Sequence, residues 1–159
     1  MSAKATSRAL VIGYGNPLRS DDGIGWAIAG RLAGDPRFAA IDVLQRHQLT
    51  PELALDVSRA DVVVLVDARS GPPAGSVAIE RVDGASASGT TWSHHLGPAS
   101  LVALARELYG RAPDVHVISV AAGSMEIGEE LTPPVEAALE GAIESIARLV
   151  APAEVAQGA

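Results

Sequence analysis

Five short apolar runs, rich in valine and isoleucine, alternate along this chain with stretches whose apolar residues recur at helical spacing. Runs of this length and composition are typical of strands buried in a sheet. Strands that alternate with helices favour a largely parallel sheet covered by helices on both faces. We therefore predict an α/β fold with three layers, α/β/α, and a mostly parallel five-stranded sheet. The predicted strands span residues 9–12, 41–44, 62–66, 77–82 and 115–122.

Helices are predicted between and after these strands. In two of them apolar residues recur every fourth position: Ile24, Ile28 and Leu32 in one, and Leu101, Ala105 and Tyr109, widened by Leu104 and Leu108, in the other. Two more are indicated by a threonine cap followed by proline, a short one after Thr50 and a last one from near Thr132 to about Leu149.

The run 77–82 departs from this alternation, because it follows a glycine- and proline-rich turn at residues 70–75 with no helix between. A strand reached so directly is expected to pair antiparallel or to lie at an edge of the sheet. At the other end, residues 151–159 are expected to form a flexible tail. A single domain over residues 1–150 is therefore predicted.

Composition excludes several classes of function. The formal net charge is -7 and no Lys/Arg patch is visible, which argues against a nucleic-acid or anionic-membrane partner. No stretch approaches the ~20 apolar residues of a membrane span, and the short polar start resembles no targeting segment, so we expect a cytoplasmic protein. With no cysteine, any metal or catalytic chemistry rests on Asp, Glu, His and Ser.

Polar residues follow three of the predicted strands: Asn16, Asp21 and Asp22 after the first, Asp67 after the third, and Ser93, His94 and His95 after the fourth. Ligands of parallel sheets bind beyond the carboxyl ends of the strands. Two acids and an imidazole there offer the donors of an open zinc-like or nickel-like site.

Each of these residues also has a purely structural interpretation. Asp22 is placed as a charge at a helix start, and Asp67 as a cap on the following loop. Either histidine of the pair at 94 and 95 is placed to bond a backbone carbonyl. The glycine turn after the first strand lacks the third glycine of a dinucleotide fingerprint, since Leu18 stands there, and no Walker lysine follows.

Four blocks stand in a specific order along the chain: GYGNPLRSDDGIG at 13–25, VLVDA at 64–68, SHHLG at 93–97 and ELTP at 130–133. Together they closely resemble the motifs of the hydrogenase maturation proteases. The resemblance extends over nearly the whole chain and implies a twisted five-stranded sheet between helices.

The resemblance implies a nickel-dependent endopeptidase that removes the C-terminal extension of a [NiFe] hydrogenase large-subunit precursor after nickel insertion. In that family two acids and a histidine contact the nickel, which the substrate supplies, and no organic cofactor is implied. The matching positions here are Asp22, Asp67 and His94. They are the expected metal-contacting and catalytic residues.

Two departures from the family pattern are visible, the first of which bears on the geometry of metal contact and the second on the choice of partner. Asp22 stands where some relatives carry the longer glutamate. After the second strand, some relatives have an Asp-Gly-rich turn, whereas this segment resembles that of another branch of the family. Because such turns are thought to select the hydrogenase, Arg46, His47 and Gln48 are candidates for partner selection. Two alternatives remain from the residues alone: a non-catalytic nickel-recognition module, and a metallohydrolase with its own metal.

Overall fold

A computed structural model of the protein describes residues 8–84 and 96–158. Within these residues, five strands and four α-helices follow one another, with 3-10 turns at Ser20–Gly23 and Pro36–Phe38. They are β1 (Ala9–Tyr14), α1 (Ile24–Ala33), β2 (Asp42–Arg46), α2 (Leu53–Arg59), β3 (Val62–Arg69), β4 (Val77–Val82), α3 (Pro98–Tyr109), β5 (Asp114–Ala121) and α4 (Pro133–Gly158).

The strands form one sheet in the order β2-β1-β3-β5-β4. All neighbouring pairs are parallel except β4 with β5, which is antiparallel and lies at the edge, as predicted. From β1 the chain moves outward to β2 and then returns past β1 to β3. The crevice between β1 and β3 is therefore the point where the strand order reverses, and ligands of open α/β sheets bind at such points.

Two apolar cores lie on opposite faces of the sheet, which confirms the three-layer prediction. On one face α1 and α4 pack against the sheet through residues such as Ile28 and Ile146. On the other face α2 and α3 pack through residues such as Val57 and Leu101. The central strands are buried on both sides, which explains why β1 and β3 read as continuous apolar runs instead of alternating ones.

Two predictions about helices are wrong in detail. Helix α4 does not end at about Leu149 but runs to Gly158, through Pro152. Val150 is fully buried and anchors this part of the helix, and the residues beyond it are mostly good helix formers. On α3, Tyr109 and Leu108 are exposed instead of continuing the buried stripe, because the helix ends there at Gly110 in a left-handed conformation.

No helix within the described residues is long and apolar enough to cross a membrane.

Candidate functional site

The turn after β1 is built by glycines that let a helix lie directly on the sheet. A Cβ on Gly13 would lie 1.9 Å from the Gly25 carbonyl oxygen, and one on Gly25 would lie 2.6 Å from the Val66 carbonyl oxygen. Gly15 has φ +136°, and a Cβ there would lie 2.2 Å from the Asp22 carbonyl oxygen. Only glycine fits these positions, so α1 and the turn before it are set tightly over β1 and β3.

Asp22 lies in the 3-10 turn Ser20–Gly23, immediately before α1, and is half-buried. Its Oδ2 accepts a hydrogen bond of 2.8 Å from the backbone N–H of Asn16. The Asn16 side chain in turn accepts 2.9 Å from the N–H of Leu18. These bonds fold the loop around the Asp22 carboxylate and leave its other oxygen, Oδ1, beside Gly15.

Asp67 lies near the end of β3, half-buried, on the neighbouring strand. Its Oδ1 accepts a hydrogen bond of 2.7 Å from the N–H of Ala68. Burial raises the pKa of Asp67 to about 6, the Asp22 charge adds to the rise, and the bonds from Ala68 and the Tyr14 hydroxyl oppose it. Burial and the nearby Asp67 charge also raise the pKa of Tyr14, so this phenol stays protonated and donates.

The structure thus brings Asp22 and Asp67 into electrostatic contact at the crevice between β1 and β3. Two acids that repel each other in a half-buried place take up a proton or a cation. The third predicted site residue, His94, lies outside the described residues, as do Ser93 and His95. Within the described ranges, no three His, Asp or Glu side chains cluster in a way that could hold a metal ion.

Asp21, next to Asp22, has a different role, which sequence reasoning missed. Its side chain is fully buried and accepts four hydrogen bonds: from the N–H groups of Gly123 (2.7 Å), Ser124 (3.0 Å) and Thr132 (2.7 Å), and from the Thr132 hydroxyl (2.7 Å). Burial alone would raise the pKa of Asp21, but these bonds outweigh it and hold the pKa below its usual value. Asp21 therefore fastens residues 122–132 to the turn that carries Asp22.

The candidate partner-selection residues lie at the end of β2, and all three are exposed. The Arg46 carbonyl accepts bonds from the N–H of Gly15 (3.1 Å) and from the Trp26 indole (2.9 Å). The His47 ring lies 5.1 Å from the Trp26 ring. This segment is therefore held beside the turn after β1, and Gln48 follows on the surface.

Arg69 lies two residues beyond Asp67 on β3 and reaches across the sheet. Its guanidinium donates to the carbonyl of Ser119 (2.6 Å) and to the hydroxyl of Ser76 (2.6 Å). It thereby ties β3 to β5 and to the residue that precedes β4.

Comparisons with known proteins point to one class. No protein-family model matches the sequence, and no curated protein matches it. The fold does match solved structures. The hydrogenase maturating endopeptidase HybD from E. coli is 28% identical, with a TM-score of 0.76 over 91% of this chain and 93% of that one.

Two further matches agree. An endopeptidase from Escherichia coli, solved in solution, is 28% identical with a TM-score of 0.70, over 90% of this chain and 91% of that one. The [NiFe] hydrogenase maturation protease HycI from Thermococcus kodakarensis shares the fold at 24% identity and a TM-score of 0.71, over 92% of this chain and 94% of that one.

The fold, together with the two matches at 28% identity to solved endopeptidases, supports a peptidase of the α/β class. More narrowly, the resemblance carried by the sequence motifs agrees with this comparison, because the chain is similar over about nine tenths of its length to a hydrogenase maturating endopeptidase.

Proposed function

We propose that this chain is a cytoplasmic, nickel-dependent endopeptidase that removes the C-terminal extension from a [NiFe] hydrogenase large-subunit precursor after nickel insertion. The observation that carries the proposal is the Asp22–Asp67 pair at the crevice between β1 and β3. It occurs in a chain whose structural neighbours at 28% identity are endopeptidases, one of them a hydrogenase maturating enzyme.

In this proposal the nickel belongs to the substrate. Asp22 and Asp67 supply oxygen donors and His94 supplies a nitrogen donor, a set that suits nickel among other divalent ions. A precursor without nickel lacks the cation that these acids bind, so the site distinguishes loaded from empty substrate. Docking of the ion fixes the peptide to be cleaved beside the acid pair.

Peptide hydrolysis is then assigned to a water molecule. The nickel of the substrate, held by Asp22, Asp67 and His94, would supply Lewis-acid chemistry to polarise the scissile carbonyl or that water. Asp67 is suited to accept the proton of the water through a carboxylate oxygen that does not bind the ion, because burial makes this carboxylate more basic than an exposed aspartate. The hydrogen bond from Tyr14 orients that carboxylate.

The test incubates the purified chain with nickel-loaded and nickel-free precursor and follows the length of the precursor by mass spectrometry. We expect shortening of the loaded form alone. Binding without shortening would favour the nickel-recognition module. Activity that depends on a metal retained by the enzyme after mild chelation would favour the metallohydrolase.

Matched variants locate the site. Asp22→Asn and Asp67→Asn keep the side-chain shape and are expected to abolish processing, and His94→Ala is expected to do the same. Asp56→Asn removes an exposed carboxylate of α2 and is expected to process normally. Processing at the normal rate by Asp22→Asn would contradict the assignment.

A further inference from the structure

Two large aliphatic side chains stand exposed at the rim of the candidate site. Ile127 is 94% exposed and Leu18 is 57% exposed. Leu18 comes four residues before Asp22, and Ile127 lies in residues 122–132, which follow β5. The carboxyl ends of β1 and β5 meet at the same edge of the sheet, so both side chains lie on the side where Asp22 and Asp67 are.

The backbone sets these two residues side by side. The N–H of Gly128 donates to the Leu18 carbonyl (2.8 Å), and the N–H of Ser20 donates to the Gly128 carbonyl (2.7 Å), as in a parallel bridge between Arg19 and Gly128. The residues before this bridge, Leu18 and Ile127, are opposite each other, and paired backbones lie about 5 Å apart. Leu18 and Ile127 thus form one small apolar surface, which we name the rim ridge.

The rim ridge is rigidly supported. Ser20, which has φ +50°, donates its hydroxyl to the Glu130 carbonyl (2.8 Å), and the Arg19 side chain donates to the Met125 carbonyl (3.1 Å). The four bonds of Asp21 fasten the same two segments from below. These bonds hold the backbone on both sides of Ile127, whose side chain lies in solvent.

The surroundings of the rim ridge indicate the chemistry of that partner. Glu126, Glu129 and Glu130, within three residues of Ile127 along the chain, are exposed, and none of them takes part in the ion pairs of the described residues. An apolar contact flanked by negative charge fits a segment that combines aliphatic with basic side chains.

We infer that the rim ridge is the docking surface for the protein substrate, and that it binds an apolar, basic segment of the precursor next to the peptide to be cleaved. The inference rests on the proposed function and adds a contact outside the acid pair. It assigns Leu18 and Ile127 to substrate binding and gives them no part in cleavage of the peptide bond.

The test compares cleavage of the nickel-loaded precursor by wild type, Leu18→Asp and Ile127→Asp. Leu108→Asp is the matched control, because Leu108 is 58% exposed but lies at the C-terminal end of α3, just before β5 begins and so near the amino ends of the parallel strands. We expect KM to rise about tenfold or more in the two ridge variants with little change in kcat, since each loses the burial of one aliphatic side chain. Leu108→Asp should match wild type.

Charge reversal tests the acidic flank separately. Glu126→Lys should raise KM at low ionic strength and less so at high ionic strength, because exposed charges are screened by salt. An unchanged KM in both ridge variants, or a fall in kcat alone, would overturn the docking role.

Direct binding of the precursor, measured by surface plasmon resonance, separates this inference from the proposed function. If wild type binds but does not cleave, and Ile127→Asp weakens binding, the ridge stands and the endopeptidase proposal fails. If wild type does not bind the precursor, the ridge is wrong. Sedimentation tests whether a second copy of the chain covers the rim ridge instead. If wild type is a dimer, and Ile127→Asp makes it a monomer without changing its affinity for the precursor, the ridge is a contact between copies of the chain and the inference is overturned.

Discussion

Three aspartates near one crevice differ in what surrounds their carboxylates. Asp21 is fully buried but accepts four hydrogen bonds, so its charged form is favoured and its pKa is lowered. Asp67 is half-buried with fewer bonds and a negative neighbour, so its pKa is raised to about 6. Asp22 supplies that negative charge and accepts one backbone bond. The first of these acids holds the structure together, and the other two face the crevice.

Asp21→Asn is expected to lower the free energy of unfolding by about 3 kcal/mol or more at pH 7, because an amide cannot accept all four bonds and leaves buried N–H groups without a partner. Urea unfolding measures this. Because its folded pKa is depressed, Asp21 stabilises the fold above about pH 4, and this contribution is lost as the pH falls through the folded pKa.

The neighbouring Asp22→Asn is the control for that measurement. Its amide oxygen can still accept the bond from Asn16, so its unfolding free energy should stay within about 0.5 kcal/mol of wild type. Equal losses in the two variants would contradict the division of roles between Asp21 and Asp22.

Asp67 gives the opposite pH dependence. The unfolded chain releases this proton near pH 4 and the folded chain near pH 6, so the folded state holds more protons between these values and loses stability as the pH rises. Asp67→Asn removes this slope and should stabilise the metal-free protein by about 1–3 kcal/mol at pH 7.5. Unfolding curves at pH 4.5, 6 and 7.5 test it, and parallel pH profiles for wild type and variant would contradict it.

At the scale of elements, the position of α1 depends on glycines that admit no side chain. A Cβ on Gly25 would lie 2.6 Å from the Val66 carbonyl oxygen and 2.7 Å from the Tyr14 nitrogen. Five residues along the same helix, a Cβ on Gly30 would meet only the Gln45 amide at 3.7 Å. The two glycines serve different purposes in one helix.

Alanine at each position tests this contrast. Gly25→Ala should destabilise the protein by about 3 kcal/mol or more, because backbone on both sides of the new methyl must shift. Gly30→Ala should stabilise it by about 0.5–1 kcal/mol through helix propensity. Thermal unfolding of both variants is the measurement, and a shift of the same sign in both would contradict close approach at Gly25.

The elements themselves were largely predictable, because their signals are local. Apolar runs gave all five strands, and the missing helix before β4 gave its antiparallel edge position. The end of α4 was not predictable, because a proline such as Pro152 usually ends a helix. Here Val150 is buried against the core, and the helix continues to Gly158. The prediction that Leu108 and Tyr109 extend the buried stripe of α3 was wrong, because the packing of the whole fold decides which helical residues are buried.

The candidate site was predictable only in part. Asp22 and Asp67 stand at strand ends, and the sheet brings them together as its topology requires. The role of Asp21 could not be found this way, because its partners Gly123 and Thr132 lie more than 100 residues away along the chain. Placement of His94 remains a prediction.

At the scale of the whole molecule, the excess of negative charge disfavours anionic partners, whereas the acid pair favours a cation. Added Ni²⁺ should therefore stabilise the wild-type protein, by about 2.7 kcal/mol when its concentration is a hundred times the dissociation constant. Thermal melts with and without Ni²⁺ measure the effect, and chelation should reverse it. Asp22→Asn and Asp67→Asn should respond much less, while Asp56→Asn should respond as wild type does. Equal stabilisation of all four proteins would place the ion elsewhere.

The close approach of Gly13 to Gly25 has a consequence for affinity. With no side chain between them, strand and helix form a single stiff body, and the turn that bears Asp22 is clamped against it. The carboxylates are thus pre-organised before any ligand arrives, and little conformational entropy is lost when one enters. Under the proposed function, the fixed spacing of Asp22 and Asp67 would therefore favour divalent ions of a matching size over others.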